Sequence, residues 1–236
     1  MITLHDLNKK FGRLQALSQV NLSCNKGESI ALIGPNGCGK TTLIKSILSM
    51  VIPDSGSIKF EGQNIAQDFT YREHIGYMPQ IGRYPDNMSI GQVLETIQQL
   101  RGADKVIDMD LYEAYKLKEL LHKRMNTLSG GTRQKVSAVM AFMFNPKVLI
   151  LDEPTAGLDP IASEILKEKI IAERQKNKLI LITSHLLHEL EEIISEIIFM
   201  QDGVVHFHQS IVEIKDKTAE SSISKAVSKV LKGDLL

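Results

Sequence analysis

Gly34-Pro35-Asn36-Gly37-Cys38-Gly39-Lys40-Thr41 constrains this chain more than any other stretch, and Thr42 follows it directly. The run satisfies G-x-x-x-x-G-K-[ST] and falls between an apolar strand expected over 29–33 and a helix expected over about 40–50. Glycines let the backbone turn sharply, so that successive N–H groups converge on phosphate oxygens. The helix that follows adds the positive end of its dipole. Lys40 is then within reach of β- and γ-phosphates, and the Thr41 hydroxyl can ligate Mg²⁺.

Composition narrows the setting of that loop. The 236 residues are 43% hydrophobic and 24% charged, ordinary values for a folded chain, and the length suits one compact α/β unit. Lys and Arg total 28 and so do Asp and Glu, so the net charge is zero. That balance argues against nucleic acid as the main ligand. Aromatics are only 5% with no Trp, which disfavours sugar-stacking sites. Cys24 and Cys38 are the two cysteines, at no metal-binding spacing, which fits a reducing compartment. Asp6, Lys9 and Lys10 come too early for a signal peptide, and no apolar run approaches the ~20 residues of a membrane span. A cytoplasmic protein is expected.

Two carboxylates mark the second feature. Leu149-Ile150-Leu151 leads into Asp152-Glu153-Pro154, and ligands of α/β sheets gather at the carboxyl ends of strands. Taken alone, such a pair is a solvated strand terminus; a phosphate loop 112 residues upstream reverses that reading. Asp152 suits a Mg²⁺ partner, and Glu153 suits a base that deprotonates water. Pro154 is expected to hold Glu153 extended at the strand tip. Strands at 148–152 and 179–183 with a helix between them give the pattern of a parallel sheet.

Leu128-Ser129-Gly130-Gly131-Thr132, with Ser129 23 residues ahead of Asp152, resembles the signature motif of ABC-type ATPases. Other motifs of that family follow in order. Gln80 in Gly76-Tyr77-Met78-Pro79-Gln80 is similar to the Q-loop glutamine. Asp159 in Gly157-Leu158-Asp159-Pro160 is similar to the D-loop aspartate, and His185 in Thr183-Ser184-His185 to the switch histidine. Phe11 stands where the family has an adenine-stacking aromatic. Thr132 and Phe11 depart from the commonest Gln and Tyr, yet each keeps the backbone or ring contact of its position.

The resemblance implies a P-loop NTPase core with an antiparallel β subdomain and a helical subdomain. It divides the chain into an ATPase domain at 1–210, a helical insertion at about 82–145, and a tail at 211–236. It implies ATP bound by Phe11, Gly34, Pro35, Asn36, Gly37, Cys38, Gly39, Lys40, Thr41 and Thr42, with Mg²⁺ on Thr41, Gln80 and Asp152. Glu153, His185 and Gln80 would act in hydrolysis. Leu128 to Thr132 would meet the ATP of an opposite subunit, so that two chains sandwich two nucleotides. A membrane-spanning subunit on a separate chain would dock near Ile81–Ile90, with Tyr84 and Pro85 in the groove, placing this protein on the inner face of the cell membrane.

A non-transport ABC ATPase acting on chromosomes or ribosomes is the alternative. Such proteins carry a coiled-coil insertion or two cassettes, whereas residues 40–129 hold room only for a compact helical insertion. A monomeric phosphoryl-transfer kinase would not need the signature run. Residues 131–138 and 156–162 are similar to NosF-type ATPases, which serve copper-site assembly of nitrous oxide reductase; another transported substrate remains the alternative. Met140, Phe142, Met143 and Phe144 read as helix-face core rather than a soft-metal site. His206-x-His208 reads as a solvated edge strand, and Ile223 to Leu231 as an amphipathic tail helix.

Overall fold

The structure, a computed structural model, describes residues 1–102, 106–184 and 187–232. The early chain holds β1 (Ile2–Phe11), β2 (Leu14–Cys24), β3 (Ser29–Ile33), α1 (Lys40–Ile47), β4 (Ser55–Phe60) and β5 (Gln63–Asn64). The middle holds β6 (Ile75–Met78), α2 (Ile90–Arg101), α3 (Asp110–Ala114), α4 (Gly130–Phe142), β7 (Val148–Asp152) and α5 (Pro160–Gln175). Then come β8 (Leu179–Thr183), α6 (Leu187–Leu190), β9 (Glu196–Gln201), β10 (Val204–Ser210), α7 (Ile211–Thr218) and α8 (Ile223–Leu231). The chain forms two compact units, one from Met1–Tyr71 with the chain from Leu179 onward, the other Arg72–Lys178.

In the first unit, β1 pairs antiparallel with both β2 and β4, giving the order β2-β1-β4-β5. The β1 and β2 strands are longer than the short segments their sequences suggest. They stay paired through irregularities near Asp6 and Gln19, both at positive φ, which absorb the mismatch in register. A separate set of strands runs β10-β9-β3-β8, with β3 parallel to both β9 and β8. Every residue of β3 and β8 is buried, as expected of parallel strands covered on both faces. Helix α1 ends at Ile47 rather than at 50, because Ser49 takes a left-handed conformation (φ 50) and turns the chain.

The second unit pairs β6 parallel with β7, from Ile75↔Val148 to Met78↔Leu151. Gly76 lets α4 close on β6: a Cβ there would lie 2.0 Å from the Ala141 carbonyl oxygen. The sequence from 89 to 121 has a mainly helical pattern interrupted near Gly102, and the first helix does end there. Helix α2 starts on a capping box of Ser89 and Gln92 and stops at Gly102 (φ 105); α3 and a 3₁₀ turn at Leu117–Leu120 follow. Helix α5 carries a buried ionic cluster in which Glu173, 1% exposed, meets Lys169, Lys176 and Lys178. Lys169 also pairs with Asp108 and Asp110, tying α5 to the start of α3.

Helices α7 and α8 pack on each other, and α8 also packs on α6. The amphipathic tail helix stands at the expected 223–231, with Ile223, Ala226 and Val227 buried. Helix α7 has no counterpart in the sequence reading. No helix of the described residues is long and apolar enough to cross a membrane. The described elements combine an antiparallel sheet, parallel strands and helices, the mixed α/β content expected from the sequence.

Candidate functional site

The loop after β3 is shaped by its glycines. Gly34, Gly37 and Gly39 stand at φ 149, 80 and 110, which L side chains rarely adopt. A Cβ on Gly34 would meet the Met200 carbonyl oxygen at 2.0 Å, and one on Gly39 the Ala16 carbonyl oxygen at 2.4 Å. The loop is therefore pressed against β9 and β2 as well as turned. Lys40 opens α1 and folds back, donating from Nζ to the carbonyl oxygens of Gly34 (2.7 Å) and Pro35 (3.0 Å). An ammonium held inside a ring of backbone amides at a helix start is a ready anion site. Pro35, Asn36, Gly37 and Thr41 are exposed along this loop, Thr42 is half-buried, and Cys38 is buried beneath it. Phe11, at the end of β1, leaves about half of its ring surface open, with Lys9 Nζ 5.3 Å from the ring centre.

Asp152 is the last residue of β7, and Glu153 follows it; both are half-buried. The extended conformation expected for Glu153 is not what forms. Its φ is 51, in the left-handed region, and its carbonyl oxygen accepts the Ala156 N–H at 3.1 Å. The chain must turn immediately after the strand, and that tight turn overrides the extended bias that Pro154 imposes. Left-handed backbone at a non-glycine residue costs roughly 1–3 kcal/mol and concentrates where a side chain must be aimed. Tyr77 on β6 is close enough to register Asp152: burial first, and then the Asp152 charge, push its hydroxyl above the usual tyrosine range. Gln80 is exposed two residues beyond the end of β6.

Ser129 caps α4, its Oγ accepting the Thr132 N–H at 3.2 Å, with Gly130 and Gly131 forming the first turn. Gly131 is required there, because a Cβ would lie 2.7 Å from the Gly157 carbonyl oxygen. Asp159 caps α5 by accepting the Ala162 N–H at 2.8 Å. Its second oxygen takes a 2.7 Å ion pair from Lys135, and that hydrogen bond holds the carboxyl below the usual range. Leu128 precedes this turn as its extended lead-in.

Three residues that the motifs do not single out complete this arrangement. Gln134 Nε2 reaches the carbonyl oxygens of Glu153 (3.3 Å) and Pro154 (3.5 Å). Lys135 binds Asp159 and lies 5.7 Å from the ring centre of Tyr115, whose hydroxyl donates to the Ala162 carbonyl oxygen at 3.0 Å. The signal for Gln134 and Lys135 in the sequence was their i+3 and i+4 spacing from Gly131, which puts all three on one helix face; Tyr115 had no such signal.

His185 lies outside the described residues. His206 and His208 stand on β10, the outermost strand of its group, but the strand is less solvated than expected. His208 is half-buried with its Nε2 3.7 Å from Glu196, and burial lowers its pKa. No cluster of three or more metal-ligating residues occurs among the described residues. Phe142 and Met143 are buried core side chains, while Met140 and Phe144 are half-buried.

A family model described as ABC transporter matches residues 17–156, more than half of the chain. The uncharacterized ABC transporter ATP-binding protein YxlF of Bacillus subtilis (strain 168) is 30% identical over 238 residues, 99% of this chain and 79% of that protein. A solved ATP-binding subunit of an ABC transporter superposes with a TM-score of 0.89 at 26% identity, covering 98% of this chain and 99% of that one. The dimeric bacterial ABC transporter cassette MJ0796 superposes at 0.78 and 23% identity, covering 89% and 98%, a likeness of fold. The chain belongs to the ABC transporter family, as one of its ATP-binding, ATP-hydrolysing subunits.

Proposed function

We propose that two such subunits, two copies of this chain or one copy with a related partner, close around two ATP molecules and drive a separate membrane-spanning subunit. The observation that carries this reading is the pairing of two different anion sites in one chain. One is the glycine loop with Lys40 folded into it, and the other is the Ser129-capped start of α4. A monomeric phosphoryl-transfer enzyme needs only the first.

In this reading Phe11 stacks on adenine. Backbone N–H groups from Gly34 to Thr42 and the Lys40 ammonium bind the phosphates, and Leu128 to Thr132 take the γ-phosphate of the opposite subunit. Thr41, Gln80 and Asp152 offer a hydroxyl, an amide oxygen and a carboxylate, an all-oxygen donor set of the kind Mg²⁺ takes. When bound, Mg²⁺ neutralises charge on the β- and γ-phosphate oxygens. Glu153 accepts a proton from water as its oxygen attacks the γ-phosphorus. The bond from phosphorus to the β–γ bridging oxygen breaks, its electron pair leaves with ADP, and phosphate is the second product. Gln80 orients the water, His185 hydrogen-bonds the γ-phosphate, and Asp159 holds the start of α5 to Lys135 on α4.

The domain division follows the same reading: an ATPase domain at 1–210 with its helical insertion at about 82–145, and a tail at 211–236. The membrane subunit docks at 81–90, where Ile81 is exposed and Tyr84 is half-buried beside Pro85. That docking places the protein on the cytoplasmic face of the membrane. Residues 131–138 and 156–162 support a role in copper-site assembly of nitrous oxide reductase. In cells lacking this chain, that enzyme should accumulate without its copper spectrum; an unaltered spectrum overturns the substrate assignment.

Replacing Glu153 by Gln keeps shape and removes the base. Hydrolysis should fall by two orders of magnitude or more, ~3 kcal/mol of barrier, while calorimetry shows ATP binding retained. Turnover by that variant near the normal rate would contradict the assignment.

A further inference from the structure

We propose that Gln134 is a positioning residue for Glu153, so that the signature turn of one chain sets the aim of the catalytic carboxylate in that same chain. This rests on the reading of Glu153 as the base and of the Ser129 turn as the contact to the opposite nucleotide.

Helix α4 presents Gly131, Gln134 and Lys135 on one face, and that face meets the segment directly after β7 at three points. Gly131 admits the Gly157 carbonyl oxygen to a distance that any Cβ would block. Lys135 holds Asp159 at 2.7 Å. Between them Gln134, 6% exposed, donates to the carbonyls of both Glu153 and Pro154. A buried amide leaves its donors unpaired only at high cost, so Gln134 follows these two carbonyls wherever α4 carries it.

The grip falls on the one residue of that segment whose side chain does chemistry. Glu153 holds a left-handed backbone ahead of a proline, a conformation that needs support from outside the turn. Its carbonyl accepts from Ala156 within the turn and from Gln134 outside it. Turning the Glu153 peptide would break both bonds and swing the carboxylate.

Helix α4 begins on Ser129. Its hydroxyl caps the helix by accepting from Thr132, and it stands five residues, about 7.5 Å of helix rise, before Gln134. A phosphate that engages this cap draws on a rigid helix whose next turn and a half grips the carbonyl of Glu153. Each chain thus reports the nucleotide at its signature turn to its own base.

Two replacements test this on the full chain. Gln134→Leu removes the donors at similar volume. Gln134→Glu is isosteric, keeps polarity and turns donors into acceptors facing two carbonyl oxygens. Each should lower kcat for ATP hydrolysis at least tenfold while KM for ATP stays within twofold, since the phosphate contacts are untouched. The loss should appear in folded protein, as judged by an unchanged circular-dichroism spectrum, and the Glu variant carries the test if the Leu variant does not fold. A kcat within twofold of the parent in either folded variant, or a loss confined to KM, overturns the proposal. Glu153→Gln measured alongside separates the failures: if that variant is inactive and the Gln134 variants run at full rate, only the positioning role falls. If Glu153→Gln itself runs at full rate, the base assignment falls and takes this proposal with it.

Discussion

Lys40 shows how one side chain can be held ready for a ligand. Its ammonium donates to two carbonyl oxygens of its own loop, bonds that a phosphate would replace with stronger charge-assisted ones. Losing them in Lys40→Ala should weaken ATP binding by about tenfold to a hundredfold, from the ~1.5–3 kcal/mol of a charged hydrogen bond. Calorimetry giving an unchanged Kd would count against the loop as the main phosphate site. Gly39→Ala should be as harmful for a different reason: its Cβ would stand 2.4 Å from the Ala16 carbonyl oxygen, at a φ that alanine avoids. The loop was legible in the sequence because its glycines are demanded locally, by φ. The conformation of Glu153 was not, because the preceding-proline rule is also local and points the other way. What overrides it is the turn closed by Ala156 three residues on, with the Gln134 amide, from 19 residues back in the chain, donating to the same carbonyl.

Among the elements, β3, β7 and β8 stand where their apolar runs put them, since a strand buried on both faces writes a continuous signal. Helix α7 went unread although its capping box of Ser210 and Glu213 is local; the apolar periodicity of eight residues was too brief to mark it. The ionic cluster on α5 was illegible for another reason, as its partners come from 108–110, 145 and 169–178 and only the fold assembles them. Burial alone would raise the Glu173 pKa, but hydrogen bonds from Lys176 and Lys178 and the charges of Lys178 and Lys169 outweigh it and bring it to about 2. A folded-state pKa below the unfolded value means stability that is present above about pH 4.3 and lost as pH falls towards 2. Glu173→Gln should therefore cost about 3–5 kcal/mol in urea unfolding at pH 7, because it leaves buried lysines underpaired. That cost should shrink as the pH is lowered through the same window. A difference that stays constant from pH 7 to pH 3 would show that the cluster is not held by charge.

At the scale of the whole molecule, zero net charge is compatible with binding a tetra-anionic nucleotide because neither anion site depends on a basic surface. Both are made from helix starts and backbone N–H groups around glycines, with one lysine. In the proposed sandwich the Ser129 turn works only with a second subunit related by symmetry, so that each loop-bound ATP meets the signature turn of the other chain. A bulky cation at that turn should prevent closure without touching the first site. In Ser129→Arg, nucleotide affinity of the monomer should stay within a fewfold of the parent while ATP-dependent association disappears; association at parental strength would remove the turn from the interface.

The sandwich itself is tested by the solution mass of Glu153→Gln, in which bound ATP persists. Light scattering after size exclusion should give 26.3 kDa without nucleotide and twice that mass with ATP and Mg²⁺. A mass that stays at 26.3 kDa in saturating ATP, with binding confirmed by calorimetry, would contradict a sandwich of two copies of this chain.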